Sequence, residues 1–130
     1  MTFETAIRER KDAIRRQAHA NRNAQENKDE LSRRIVGAFM SLPEYATAQT
    51  VMFYIDVRSE VRTRHDLEFA LKSGKTIVVP WCNTDGELEL FRLDAMDELE
   101  IGMYRILEPR AELRDLPEKR INVETLDLIM

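Results

Sequence analysis

An apolar run that turns abruptly polar constrains this chain more than any other feature in it. Val51-Met52-Phe53-Tyr54-Ile55 is β-branched, aromatic or apolar at every position, the composition of a buried strand. It passes into Asp56-Val57-Arg58-Ser59-Glu60-Val61-Arg62-Thr63, a charged loop that sets a carboxylate at Glu60 and offers Thr63 as a helix start. Open α/β sheets bind ligands in the crevice outside the carboxyl ends of their strands. A site is therefore expected at this loop. Thr63-Arg64-His65-Asp66 opens a helix carrying Leu67, Ala70 and Leu71, and Gly74 closes it. Thr76–Val79 then forms a second strand, which Pro80 is expected to end. About ten residues of helix rise roughly 15 Å, enough to run back along the first strand. Strand, helix and strand at this spacing make a βαβ unit with parallel strands. Parallel strands release their carboxyl ends at one edge, so the Glu60 loop and Pro80-Trp81 are expected to be neighbours.

The flanking segments are read around that unit. Residues 3–22 form a helix with a thin apolar stripe at Phe3, Ile7, Ile14 and Ala18. A second helical spacing on the same segment aligns Arg8, Lys11, Arg15 and Arg22. Lys11 and Arg15 lie one above the other, where both can reach a single phosphate chain. Glu9 and Asp12 lie close by, so on pattern alone a solvated face is the plainer reading. Asn27 with Glu30 resembles a capping box, and Leu31, Ile35, Ala38, Phe39 and Leu42 mark the buried face of a second helix that Pro43 stops. After the Asp85-Gly86 turn, Leu88–Leu93 alternates in part and reads as an edge or antiparallel strand. Residues 94–100 suit a short helix or loop, and Gly102–Pro109 an extended segment. Leu126–Met130 begins an apolar strand with no cover after it, as if the sequence were cut there. These elements specify an α/β fold of three αβα layers, with a mainly parallel sheet in one domain over residues 1–130.

Composition narrows the function. With 43% hydrophobic and 34% charged residues, the chain has the make-up of a water-soluble globular protein. No apolar run approaches the roughly 20 residues that span a bilayer, and no secretion signal opens the sequence. The single cysteine, Cys82, excludes an internal disulfide and fits a reducing compartment, so a cytoplasmic protein is expected. The net charge of −4 divides into +3 over residues 1–34 and −7 over the rest. The basic end can attract an anion, but it lacks the interleaved aromatics of a nucleic-acid reader. His19 and His65 have no partners at metal-ligand spacing.

In their order and separation, several of these segments resemble the amino-terminal two-thirds of the 5-formyltetrahydrofolate cyclo-ligase (methenyltetrahydrofolate synthetase) family. They are Lys11-Asp12-Ala13-Ile14-Arg15, Tyr54 with Glu60-Val61-Arg62-Thr63, Gly74–Pro80, Leu90-Phe91, Gly102 with Ile106-Leu107-Glu108-Pro109, and Leu126-Asp127-Leu128-Ile129. The resemblance implies an ATP- and magnesium-dependent ligase that converts 5-formyltetrahydrofolate to 5,10-methenyltetrahydrofolate. By position it assigns Lys11 and Arg15 to the nucleotide phosphates, and Ile55 and Glu60 to the folate. It identifies no catalytic residue here and no metal ligand. The family's signature Gly-x-Arg-x-Gly-x-Gly-x-x-Tyr-Tyr-Asp is absent, and the four glycines, Gly37, Gly74, Gly86 and Gly102, are too scattered to cradle a phosphate. The magnesium ligands are expected in that missing part. A soluble, monomeric enzyme with two small-molecule substrates, and with neither nucleic acid nor membrane as partner, is the resulting expectation. The fragment alone is expected to be inactive. Its rivals are a non-catalytic family member that binds folate or nucleotide, and a nucleic-acid module using the basic first helix.

Overall fold

The computed structural model describes residues 1–130, the Tyr104 side chain excepted. Helix α1 spans Phe3–Ala24, with the Thr2 hydroxyl accepting from the Thr5 N–H at its start. None of its residues is buried; Phe3 is 81% and Ile14 60% exposed, so the thin apolar stripe meets solvent. Helix α2 follows at Lys28–Met40. Its start departs from the expected capping box: Asn27 is left-handed (φ 57°), and its side chain makes no cap hydrogen bond. In that conformation the Asn27 carbonyl accepts from the Leu31 N–H at 3.0 Å instead.

Pro43 does more than stop a helix. It opens α3, Pro43–Thr47, a short helix the sequence pattern did not suggest. A proline at the first helical turn lacks only an N–H that would go unpaired anyway, and its fixed φ suits the helix. Helix α3 delivers Tyr45 into the core, 6% exposed, where its ring meets those of Phe39 and Phe53 edge-on at centroid distances of 5.6 and 6.5 Å.

Strand β1 pairs over Thr50–Met52 only, shorter than the expected run to Ile55. The extended course continues beyond it, because the Phe53 N–H donates to the Val78 carbonyl at 2.9 Å. Val51, Phe53 and Ile55 alternate into the core at 0, 1 and 7% exposure. After the loop comes α4, Arg64–Leu71, which buries Leu67 and Ala70. Strand β2 then runs Thr76–Cys82, parallel to β1 with Val51 opposite Ile77. Its length corrects the expectation that Pro80 ends it. Val78 presents its backbone groups toward β1, so Pro80, two residues on, presents its nitrogen to the same side. The β1 ladder has already ended there, opposite Val78, and no partner misses the N–H.

Strand β3, Leu88–Leu93, pairs antiparallel to β2 at the sheet's edge, as the alternation implied. The segment from Gly102 to Pro109 is less extended than expected. It turns at Met103–Arg105, with Arg105 left-handed (φ 59°), and only Leu107–Pro109 forms a strand, β5, paired antiparallel with β4 at Leu99–Ile101. Strand β6, Leu128–Ile129, joins the main sheet in parallel beside β1, giving the order β3-β2-β1-β6 among the described residues. Asp127 fixes that junction. Its Oδ2 accepts from the N–H groups of Gln49 (2.9 Å) and Thr50 (3.0 Å), which hold its carboxyl below the usual carboxylate range. The result is the mixed α/β fold expected, a mainly parallel sheet with helices packed on it.

Candidate functional site

Three parallel strands bring their carboxyl ends to one edge, and the β1–α4 loop, residues 56–63, emerges there. A buried carboxylate clasps its two ends. Asp56 is 4% exposed, and its Oδ1 accepts from the N–H groups of Thr63 (3.0 Å) and Arg64 (3.1 Å) and from Arg64 Nε (3.3 Å). Thr63, wholly buried, donates its hydroxyl to the Tyr54 carbonyl at 2.7 Å. The Tyr54 phenol in turn donates to the Val61 carbonyl at 2.6 Å. Burial first, then the charges of Glu60 and Asp56, push that phenol's pKa upward. The loop is thus tied back on its own strand at three points.

Within the clasp the chain turns through Arg58, left-handed at φ 56°. The turn brings Glu60 Oε1 to 2.9 Å from the Val57 N–H, which holds one carboxylate oxygen. Contacts to α2 fix the loop from outside. The Arg62 N–H donates to Ser32 Oγ at 2.9 Å, and the Arg62 guanidinium pairs with Asp29, which His65 Nε2 also approaches at 3.0 Å. Arg62 above all, with His65 adding to it, holds the Asp29 carboxyl below its usual range.

A cavity of about 240 Å³ opens between this loop and the α1–α2 hairpin. Its lining combines the apolar side chains of Leu31, Ile35 and Val61 with the charged groups of Glu60, Arg22 and Lys28. An apolar pocket with a few convergent charged groups is the usual form of a small-molecule site.

The residues expected from sequence fall into two groups. Glu60 lines the cavity. Ile55 lies behind the loop in the core, 7% exposed, and is not part of the lining. Lys11 and Arg15 are exposed on α1 and do not reach the cavity either; Arg15 Nη1 pairs with Asp12 Oδ1 at 3.2 Å. Seven residues of helix place Arg15 about 10 Å along the axis from Arg22, and eleven place Lys11 about 16 Å away. Trp81, expected beside the Glu60 loop, is not part of the lining, and the Arg114 guanidinium lies 4.0 Å above its ring. Sequence reasoning missed Asp56 and Lys28, and it noted Arg22 only as the last member of a basic row. Among the described residues no group of three or more His, Cys, Asp or Glu side chains could hold a metal ion. The described residues thus offer magnesium no cage of their own.

A mainly parallel sheet with helices packed on it and a charged loop at the carboxyl ends of its strands puts the chain in the α/β class. The sequence profile of the 5-formyltetrahydrofolate cyclo-ligase family matches residues 4–130, and the chain belongs to that ligase family. It is 28% identical over 89 residues to a probable 5-formyltetrahydrofolate cyclo-ligase of Schizosaccharomyces pombe, a match covering 67% of this chain and 44% of that protein. The fold is similar to the solution structure of Aquifex aeolicus 5,10-methenyltetrahydrofolate synthetase, with a TM-score of 0.76 and 26% identity. That match covers 92% of this chain and 58% of the synthetase. The chain thus spans less than half the length of the curated relative. Among the described residues no helix is long and apolar enough to cross a membrane.

Proposed function

We propose that this chain serves the ATP-dependent conversion of 5-formyltetrahydrofolate to 5,10-methenyltetrahydrofolate in the cytoplasm, as a monomer. The observation that carries the reading is the Glu60 carboxylate, which lines a mainly apolar cavity on the loop that the Asp56 clasp holds. One oxygen is held by the loop; the other is free to accept N–H groups from the polar edge of a reduced pterin. Leu31 and Val61 would cover the flat body of the ring system, and Ile55 would back the loop from the core. Lys11 and Arg15 would offset the charge of the nucleotide phosphates, the role that the family resemblance assigns them.

The chemistry requires that charge compensation. Ring closure must expel the formyl oxygen, a poor leaving group. Attack of that oxygen on the γ-phosphorus releases ADP and turns it into a phosphate ester. N10 then adds to the same carbon, loses its proton, and phosphate departs. A phosphate cradle is also required, and these 130 residues contain no glycine-rich segment to form one. Binding is therefore the direct test of this chain. Calorimetric titration should show 5-formyltetrahydrofolate binding that Glu60→Gln weakens about tenfold, the scale of one hydrogen bond to a charged group. ATP binding should fall with Lys11→Ala or Arg15→Ala and not with Glu60→Gln. Equal losses of both ligands in all three variants would refute the division of roles. Folate binding without turnover, even when a complete family member's glycine-rich part is supplied in trans, would favour a non-catalytic folate binder.

A further inference from the structure

The cavity beside Glu60 takes in a cation that the family resemblance gives no role. Lys28 and Arg22 both line the cavity, but they differ in what already holds them. Lys28 Nζ donates to the Asn23 carbonyl at 3.0 Å and so ties the α1–α2 connector together. Arg22 Nη2 donates to His19 Nδ1 at 2.9 Å rather than to a carboxylate. No carboxylate pairs with Arg22 among the ion pairs of the described residues. A guanidinium has five N–H donors in a rigid fork. A histidine acceptor uses one of them and leaves the full positive charge in place.

Two further features single out Arg22. It closes a row with Lys11 and Arg15, since steps of four and seven residues return to nearly the same helix face. It is also the member of that row that reaches the cavity. With Glu60, Arg22 and the apolar side chains of Leu31, Ile35 and Val61 all on its lining, the cavity suits a bipolar ligand that has N–H donors at one end and an anion at the other.

We propose that Arg22 is an anion-binding residue of this cavity, taking the phosphate or carboxylate end of a ligand whose N–H edge Glu60 holds. The proposal rests on the reading of Glu60 given above and adds the residue that fixes the ligand's far end. Its fork matches either anion in a two-point contact, which a lysine cannot reproduce. Both candidate substrates fit that description, ATP through its phosphates and the folate through its glutamate carboxylates.

The test is calorimetric titration of the 130-residue chain and of its Arg22→Ala and Arg22→Lys variants. The probes are ATP, 5-formyltetrahydrofolate, and the same folate with its glutamate replaced by an uncharged simple amide. Arg22 lies on an exposed helical face, and circular dichroism would verify that both variants keep the fold. Arg22→Ala should weaken one anionic probe, or both, about tenfold, with Arg22→Lys recovering part of the loss. A loss with ATP assigns the phosphate; a loss with the intact folate that spares the amide assigns the glutamate. A loss under twofold with every probe overturns the proposal. So does an equal loss with the folate that carries no anion, or failure of the unaltered chain to bind any probe. Glu60→Gln with no effect on either folate, while the Arg22→Ala loss stands, would instead count against the folate reading.

Discussion

Helix α1 and the β1–α4 loop both contribute to the candidate site, but they are held by opposite means. The loop grows out of a strand whose alternate side chains, Val51, Phe53 and Ile55, are buried, and the buried carboxylate of Asp56 locks it. Helix α1 runs 22 residues without burying one of them, and its order comes from its own backbone ladder and the Thr2 cap. The anionic half of the site is therefore set by the core, and the cationic half by local helix formation. A helix of this kind tolerates substitution but can move; a clasped loop does neither.

That contrast can be broken most sharply in the core. Phe53→Ala removes a ring that packs edge-on against both Phe39 and Tyr45, and it should cost about 3–5 kcal/mol in denaturant unfolding. Asp56→Ala leaves the buried Thr63 N–H without its partner and should cost about 1–3 kcal/mol. It should also free the loop and weaken folate binding along with stability. A variant that lost stability but bound folate normally would show that the clasp does not position Glu60.

A pH titration examines a third region, where β3, the Met96–Glu98 turn and Lys119 meet. Lys119, 8% exposed, pairs with both Asp94 and Glu98. Lys119 above all holds the Asp94 carboxyl low. Burial pulls Glu98 upward, but Lys119 and the Asp94 and Ala95 N–H groups outweigh it, and the net shift is down. Burial likewise works against the charge on Lys119, and the two carboxylates overcome it and raise its pKa. Both carboxylates are depressed, so their stabilisation is present above their ordinary pKa values, 3.8 and 4.5, and is lost as pH falls below them. The Lys119 contribution has the opposite sign and fades as pH rises beyond its ordinary 10.5. Unfolding midpoints measured between pH 7 and 3 should fall for the unaltered chain and fall less steeply for Lys119→Met. The smallest effects belong to α1: Phe3→Ala and Ile14→Ala should each shift stability by no more than about 0.5 kcal/mol. A larger shift would mean that the exposed stripe packs on something in solution.

How much of this was legible follows the range of the forces involved. The unbroken apolar run Val51–Ile55 and the spacing to Thr76–Val79 report burial directly, so the parallel pair and the edge at which Glu60 emerges could be read. The short helix at Pro43–Thr47 could not, because five residues carry no periodic signal and the gain comes from where Tyr45 lands. Pro80 misled because its missing N–H matters only if a neighbouring strand asks for it, and β1 stops short. The Asp56 clasp was equally hidden, since a carboxylate in a charged loop looks solvated until the strand beneath it is seen to close over it. Arg22 was visible as part of a row, but a row has no direction until one end is found against a cavity.

The Asp127 carboxylate, bridging residues 77 and 78 positions back along the chain, has a consequence for biosynthesis. Strand β1 leaves the ribosome with one flank bare, and the hairpin-like β2–β3 unit can cover only the other. Until residues 127–129 emerge, that flank remains open to any stray strand, so newborn chains should depend on chaperones most in the interval between translating β1 and translating β6.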